Sequence, residues 1–146
     1  MAYIVGAYAL SPSHSTWDAN LESQYFSALK AMPNVKGIEH PFINSLHAHD
    51  DEWFLANISP TWEFVFTTIP GIMGAISQNP KFGIASDSEE DRQAALNFYN
   101  SARLAILKLN KHLGRQAVTA IQIHTSPNQE KSSSSAVSLE SSLTTM

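Results

Sequence analysis

Four short apolar runs punctuate the chain, and each ends in polar or conformationally special residues. They are Tyr3-Ile4-Val5-Gly6-Ala7-Tyr8, Val35-Lys36-Gly37-Ile38-Glu39-His40-Pro41, Glu63-Phe64-Val65-Phe66-Thr67-Thr68-Ile69-Pro70-Gly71 and Ala117-Val118-Thr119-Ala120-Ile121-Gln122-Ile123-His124. The last is β-branched and almost continuously apolar, the mark of a strand covered on both faces in a parallel sheet. Between the first two runs, Trp17, Leu21, Tyr25, Leu29 and Met32 recur every three or four residues and predict a helix face. Ser15 stands three residues before Asp18 in a capping arrangement, and Pro33-Asn34 ends the helix. Trp53 to Ile58 reads as a short helix with an acidic first turn, closed by Ser59-Pro60. A short helix and a structured loop are expected between Gly71 and Gly83. The clearest helix starts near Asp87-Ser88, buries Ala95, Phe98, Ala102, Ala105, Ile106, Leu109 and Leu113, and is capped by Gly114. Asn128 to Ser135 is a serine-rich loop. Beyond it, Ala136, Leu139, Leu143 and Met146 form a helical stripe that the chain end interrupts.

The order β-α-β-α-β-α-β-(α), with right-handed crossovers, predicts an α/β protein built as a parallel (βα)4 unit. Residues 1–127 would form it, and residues 128–146 would be the serine-rich loop and an incomplete fourth helix. A chain that stops inside its pattern points to the first half of a TIM (β/α)8 barrel, which takes about 250 residues when complete. The alternative is a small doubly wound α/β sheet. A half-barrel carries two open edges and an expected inner face of Val, Ile and Phe, so self-association through those edges is expected.

Composition narrows the partners. A net charge of −4 without a Lys/Arg cluster excludes a nucleic-acid partner, and the lack of cysteine excludes disulfides, thiolate metal sites and a cysteine nucleophile. No stretch has membrane-spanning length or signal-peptide form, so a cytoplasmic protein with a small-molecule substrate and no membrane partner is expected. Phosphate-loop, dinucleotide-fingerprint and nucleophile-elbow motifs are all missing.

Taken together, YIVGAY, GIEHPF, LHAHDDEWF, TTIPG, NPKFGIASD, LNKHLGRQAV and IQIHTSP, spread from Tyr3 to about Pro127, resemble an uncharacterised bacterial family within the xylose-isomerase-like barrels. That superfamily includes sugar and sugar-phosphate isomerases, epimerases and an endonuclease. The resemblance implies an isomerase or epimerase type of enzyme acting on a sugar or sugar phosphate. It also implies a divalent metal (Mn, Mg or Zn) held mainly by later strands. On this reading the main metal site lies beyond this chain, and the chain alone is inactive.

In such barrels the chemistry sits at the C-terminal ends of the strands. Glu39 and His40 end the second predicted strand, where alternation lets only one of them face the barrel axis. His124 ends the fourth. Glu39 and His124 are the candidate catalytic residues; His40, His47, Thr67 and Thr68 are candidate substrate contacts, and no metal ligand is assigned. His47-Ala48-His49 in an extended segment would place both rings on one face, a spacing metal-dependent hydrolases use, which gives a second reading. Asp50 and Asp51 are expected to cap the following helix, Trp53 and Trp62 to be core, and Ser132 to Ser135 to carry no function. A third reading is a truncated, non-catalytic half-barrel.

Overall fold

The computed structural model describes residues 1–13, 16–128, 130 and 132–146. Four strands, β1 (Tyr3–Val5), β2 (Val35–Pro41), β3 (Glu63–Thr67) and β4 (Val118–Gln122), lie side by side in that order, every pair parallel. A doubly wound sheet reverses its strand order; this sheet does not, and it is wound as barrel strands are while remaining open. The α/β (βα)4 prediction therefore holds. The helices are α1 (Ala19–Ala31), α2 (Asp51–Asn57), α3 (Ile69–Gln78), α4 (Glu89–Leu113) and α5 (Ala136–Thr145), with a 3-10 turn at Ala7–Leu10. Among the described residues no helix is long and apolar enough to cross a membrane.

Several boundaries differ from the sequence pattern, each for a local reason. β1 stops at Val5, and Gly6 opens the 3-10 turn. β3 stops at Thr67, because Pro70 in the first turn of α3 suits a helix start, where its missing N–H is not needed. Helix α1 begins two residues after Trp17: Asp18 caps it by accepting from the N–H groups of Asn20 (2.9 Å) and Leu21 (3.0 Å). Ser15 lies outside the described residues. The later start rotates the buried side to Glu22, Phe26 and Leu29 and leaves Leu21 and Met32 exposed.

Strand alternation sorts the sheet into two unlike faces. Register rows Val5–Ile38–Phe64–Val118 and His40–Phe66–Ile121 point to one side. Phe26, Phe42, Phe54, Trp62 and Leu109 bury that side in the main core. The other side carries the rows Glu39–Val65–Ala120 and Pro41–Thr67–Gln122. The row Ile4–Gly37–Glu63 lies on this side too, so the inner face carries the Val and Ile expected but not the Phe. Phe64 and Phe66 share a parity, and the helices supply the aromatic partners that draw both to their side. What stays open mixes Ile4, Val65 and Ala120 with Glu39, Thr67 and Gln122, and Ile4, Ala120 and Gln122 are exposed.

A second cluster (Ile72, Phe82, Ile84, Ala95, Tyr99) lies under the 79–86 loop, with Leu139 packed against it. The buried residues of α5 are Ser138 and Ser142, while Leu143 (50%) and Met146 (46%) are exposed, so the expected apolar stripe is only partly used. Ser138 Oγ donates to Asp87 (2.9 Å) and Ser142 Oγ to the Ile84 carbonyl (2.7 Å), which pins the C-terminal segment to that loop.

The loop also packs backbone on backbone. A Cβ on Gly83 would fall 1.9 Å from the Ser126 carbonyl oxygen, whereas one on Gly74 in α3 would meet nothing within 4 Å. In urea unfolding, Gly83→Ala is expected to cost at least about 2 kcal/mol, and Gly74→Ala to add about 0.5–1 kcal/mol. Equal effects of the two substitutions would contradict this packing.

Candidate functional site

The site grows from the rim of the aromatic core. His40, at the end of β2, points to the helix side and stacks on Phe54 with ring centroids 4.2 Å apart and planes at 29°. Phe66 leans on it at 5.3 Å. Its Nε2–H donates to the Leu46 carbonyl at 2.5 Å, an acceptor that fixes the tautomer and closes the 42–46 loop over the strand end. Full burial among aromatic rings pushes the His40 pKa down to about 4, against the opposing pull of the Leu46 carbonyl. His40 is thus a neutral residue that positions the loop.

That loop presents His47, whose ring lies parallel to Phe54 (5.5 Å, 10°) and stacks near His40 (6.2 Å, 22°). Asp50 N–H donates to His47 Nδ1 at 3.1 Å, with His49 N–H at 3.4 Å, so the ring proton resides on Nε2. Burial and then His49 lower its pKa, while Asp51, Glu22 and Asp50 pull the other way. Asp50 caps α2 by accepting from Trp53 N–H (2.9 Å). Asp51 accepts from His47 N–H (2.7 Å) and from Lys108 Nζ (2.6 Å). The capping expectation is met by Asp50. Asp51 is the anchor that ties the loop to α4.

Trp17 lies flat on His49 (5.3 Å, 15°) and edge-on to Trp53 (5.8 Å). Its indole N–H is buried without an acceptor among the described residues. Glu22, buried in the first turn of α1, accepts from Ser13 Oγ (2.5 Å), from Ser13 N–H (3.3 Å) and from Ser11 Oγ. On the open side of the sheet, a Cβ on Gly6 would sit 3.2 Å from the Glu39 carboxylate. Burial, and then Glu39, raise the pKa of Tyr8.

These groups surround a cavity of about 330 Å³ at the C-terminal ends of β1 and β2, with Tyr8, Trp17, Glu22, Glu39, His47 and His49 in its wall. Of the six residues singled out in the sequence, Glu39, His40 and His47 line it, and Thr67, Thr68 and His124 do not. Those three belong to the neighbouring tips of β3 and β4. Thr67 Oγ1 donates to Gln122 Oε1 (2.9 Å) and Thr68 Oγ1 to the Gln122 carbonyl (2.7 Å). Tyr99 OH accepts from His124 N–H and donates to the His124 carbonyl, both at 3.0 Å. The His124 ring leaves Nδ1 buried and unpartnered, as is Ser126 Oγ. All six residues share one edge of the sheet, in two groups.

The His47/His49 pair is not the chelating arrangement the sequence allowed. Residues 43–49 form bends instead of an extended segment, and the rings cross at 61° with centroids 5.9 Å apart. His47 Nδ1 is engaged by backbone N–H groups and His49 covers Trp17. Among the described residues no three His, Asp or Glu side chains gather as metal ligands. The described donors therefore do not by themselves compose a divalent-metal site.

Sequence reading missed Trp17, Glu22, Ser11 and Ser13. The available signal was the spacing 22-26-29, which makes Glu22 a charged residue on a buried helix face. Such a residue is rarely buried without partners, and the serines upstream provide them.

The comparison with known sequences fixes the relationship. This chain belongs to the family described as domain of unknown function DUF4862. The family profile matches residues 4–146. An uncharacterised protein of Salmonella typhimurium is 34% identical over 126 residues, which takes in 86% of this chain and 40% of that protein. The chain thus spans about two-fifths of the length of this relative. No solved structure matches.

The buried His40 makes a pH prediction. Its pKa of about 4 in the fold lies below the ordinary value of 6.5, so the unfolded chain takes up its proton first as pH falls. The contribution is complete above pH 6.5 and is lost as pH falls towards 4, by up to about 3 kcal/mol. His40→Phe, which keeps a ring between Phe54 and Phe66, should flatten the wild-type fall in unfolding free energy across that window. An identical slope in the two proteins would contradict a neutral, buried His40.

Proposed function

We propose that this chain is the substrate-binding first half of a xylose-isomerase-like barrel that moves a proton next to the carbonyl of a sugar or sugar phosphate. The observation that carries the reading is the cavity at the C-terminal ends of β1 and β2, with Glu39 and the half-buried His47 in its wall. The unreversed strand order and the greater length of the Salmonella relative fit a longer barrel.

In this account the Glu39 carboxylate removes a proton from the carbon beside the substrate carbonyl, leaving an enediolate, and returns it to the former carbonyl carbon while the hydroxyl proton passes to the former carbonyl oxygen, which completes an isomerisation. His47 Nε2–H hydrogen-bonds the oxygen on which charge develops, and a neutral imidazole gives that bond without donating its proton outright. Trp17 offers a flat apolar surface to the sugar ring. His124, Thr67 and Thr68 at the next two strand tips contact the far end of the substrate, with the orphaned His124 Nδ1 as the polar group available there. No step is assigned to a metal. The reading places the protein in the cytoplasm, where such substrates circulate. It also leaves the β1 and β4 edges to be covered by further strands, from the same chain or a second copy.

The test is hydrogen exchange in an intact family member of the Salmonella relative's length. Incubated in D2O with aldoses, ketoses and their phosphate esters, it should exchange a carbon-bound proton beside the carbonyl of its substrate. Replacing the residue aligned with Glu39 by Gln should slow that exchange by about 10²–10⁴-fold. Undiminished exchange in the folded variant would remove Glu39 from the chemistry.

A further inference from the structure

The cavity at the β1 and β2 tips has a wall of one electrical character. Glu22 and Glu39 are its carboxylates, and no Lys or Arg is among its described lining residues. The remaining polar groups there are hydroxyls and imidazoles: Ser11, Ser13, Tyr8, Tyr25 and the histidines. Burial holds both His40 and His47 towards the neutral form, so neither supplies a cation.

Phosphate groups are gripped by Arg or Lys, or by open helix N-termini. The N-terminus of α1 borders this cavity, but it is already occupied. Asp18 takes the N–H groups of Asn20 and Leu21, and Glu22 puts a buried carboxylate in the same turn. A phosphate here would meet two negative charges at a helix start whose Asn20 and Leu21 N–H groups Asp18 already holds. An uncharged polyol would find what the site offers. Trp17 supplies a ring face and a buried N–H without an acceptor among the described residues. Three donors from Ser11 and Ser13 converge on Glu22 Oε1, which fixes this carboxylate and its serines as hydroxyl-compatible polar groups in the wall.

We infer that this cavity receives the unphosphorylated, hydroxyl-bearing end of its substrate against Trp17, and that any phosphate is held away from the β1 and β2 tips. The inference rests on the carbohydrate reading above and sharpens it: free sugars are accepted here, and a sugar phosphorylated at both ends is refused. The described wall comes from the 3-10 turn after β1, from α1, β2, the first turn of α3 and the loops beside them, so this chain can be probed for binding by itself.

The experiment is calorimetric or saturation-transfer binding to this chain at low ionic strength. The probes are D-xylose, D-fructose and D-fructose 1,6-bisphosphate. The free sugars should bind in the millimolar range, with the bisphosphate weaker by about tenfold or more, as two partly screened like charges imply. Trp17→Leu, checked for an unchanged melting transition, should weaken the free sugars by about fivefold or more, the scale of one aromatic contact. Glu39→Gln should narrow the gap between free sugar and bisphosphate. Bisphosphate binding as tight as the free sugars overturns the inference and leaves the carbohydrate reading standing, and an unchanged gap in Glu39→Gln likewise overturns it. If none of the probes binds the folded chain, the inference and the carbohydrate reading fall together.

Discussion

One layer of aromatic packing organises this protein. Phe64 and Phe66 project from β3 towards the helices, where Phe26 of α1 and Phe54 of α2 join them in the core. Each buried ring removes a large apolar area from water, and the edge-to-face contacts add direction to that burial. The direction matters for the site. Phe54 packs against both His40 and His47, whose rings also stack on each other at 6.2 Å, so the loop between β2 and α2 is located by the core itself. Substitution of Phe54 would therefore displace the candidate site and weaken the core in one step.

The same layer explains why the two faces of the sheet differ. Because the helices claim every second residue, the opposite rows are left with Glu39, Val65, Ala120, Thr67 and Gln122. In a closed barrel such a row faces the interior, and its polar end is where the chemistry sits. Glu39 occupies that row while its neighbour His40 occupies the other. Adjacent residues at one strand tip thus divide the work: Glu39 is offered to the cavity, and His40 holds the loop that brings His47 to it.

Much of this was legible in the sequence because it rests on local pattern. The apolar runs and the acidic start and glycine cap of α4 describe the segments the chain must bury, and the structure places strands and helices there. The Asp50 cap was legible for the same reason. Contacts made at a distance were not. Trp17 looked like the start of a helix face, yet Asp18 caps the helix after it and frees the indole to lie against His49, over thirty residues away. The His47/His49 spacing suggested chelation only while the segment was taken as extended; the bends at 43–49 turn the rings across each other. The leucine stripe of α5 misled because its docking surface is polar: Asp87 and the Ile84 carbonyl call for the hydroxyls of Ser138 and Ser142.

The central claim is that the working cavity lies at the β1 and β2 tips, with Trp17 and His47 in its wall. A ¹H–¹⁵N correlation titration of this chain with a free sugar tests it most directly, since the Trp17 indole N–H has no acceptor among the described residues. The account predicts a downfield shift of that one indole resonance, with smaller changes at the backbone amides of Glu39, His47 and Ser13. Changes confined to Gln122 and His124, or to the groove between α4 and the end of α5, with the Trp17 indole unmoved, would contradict it.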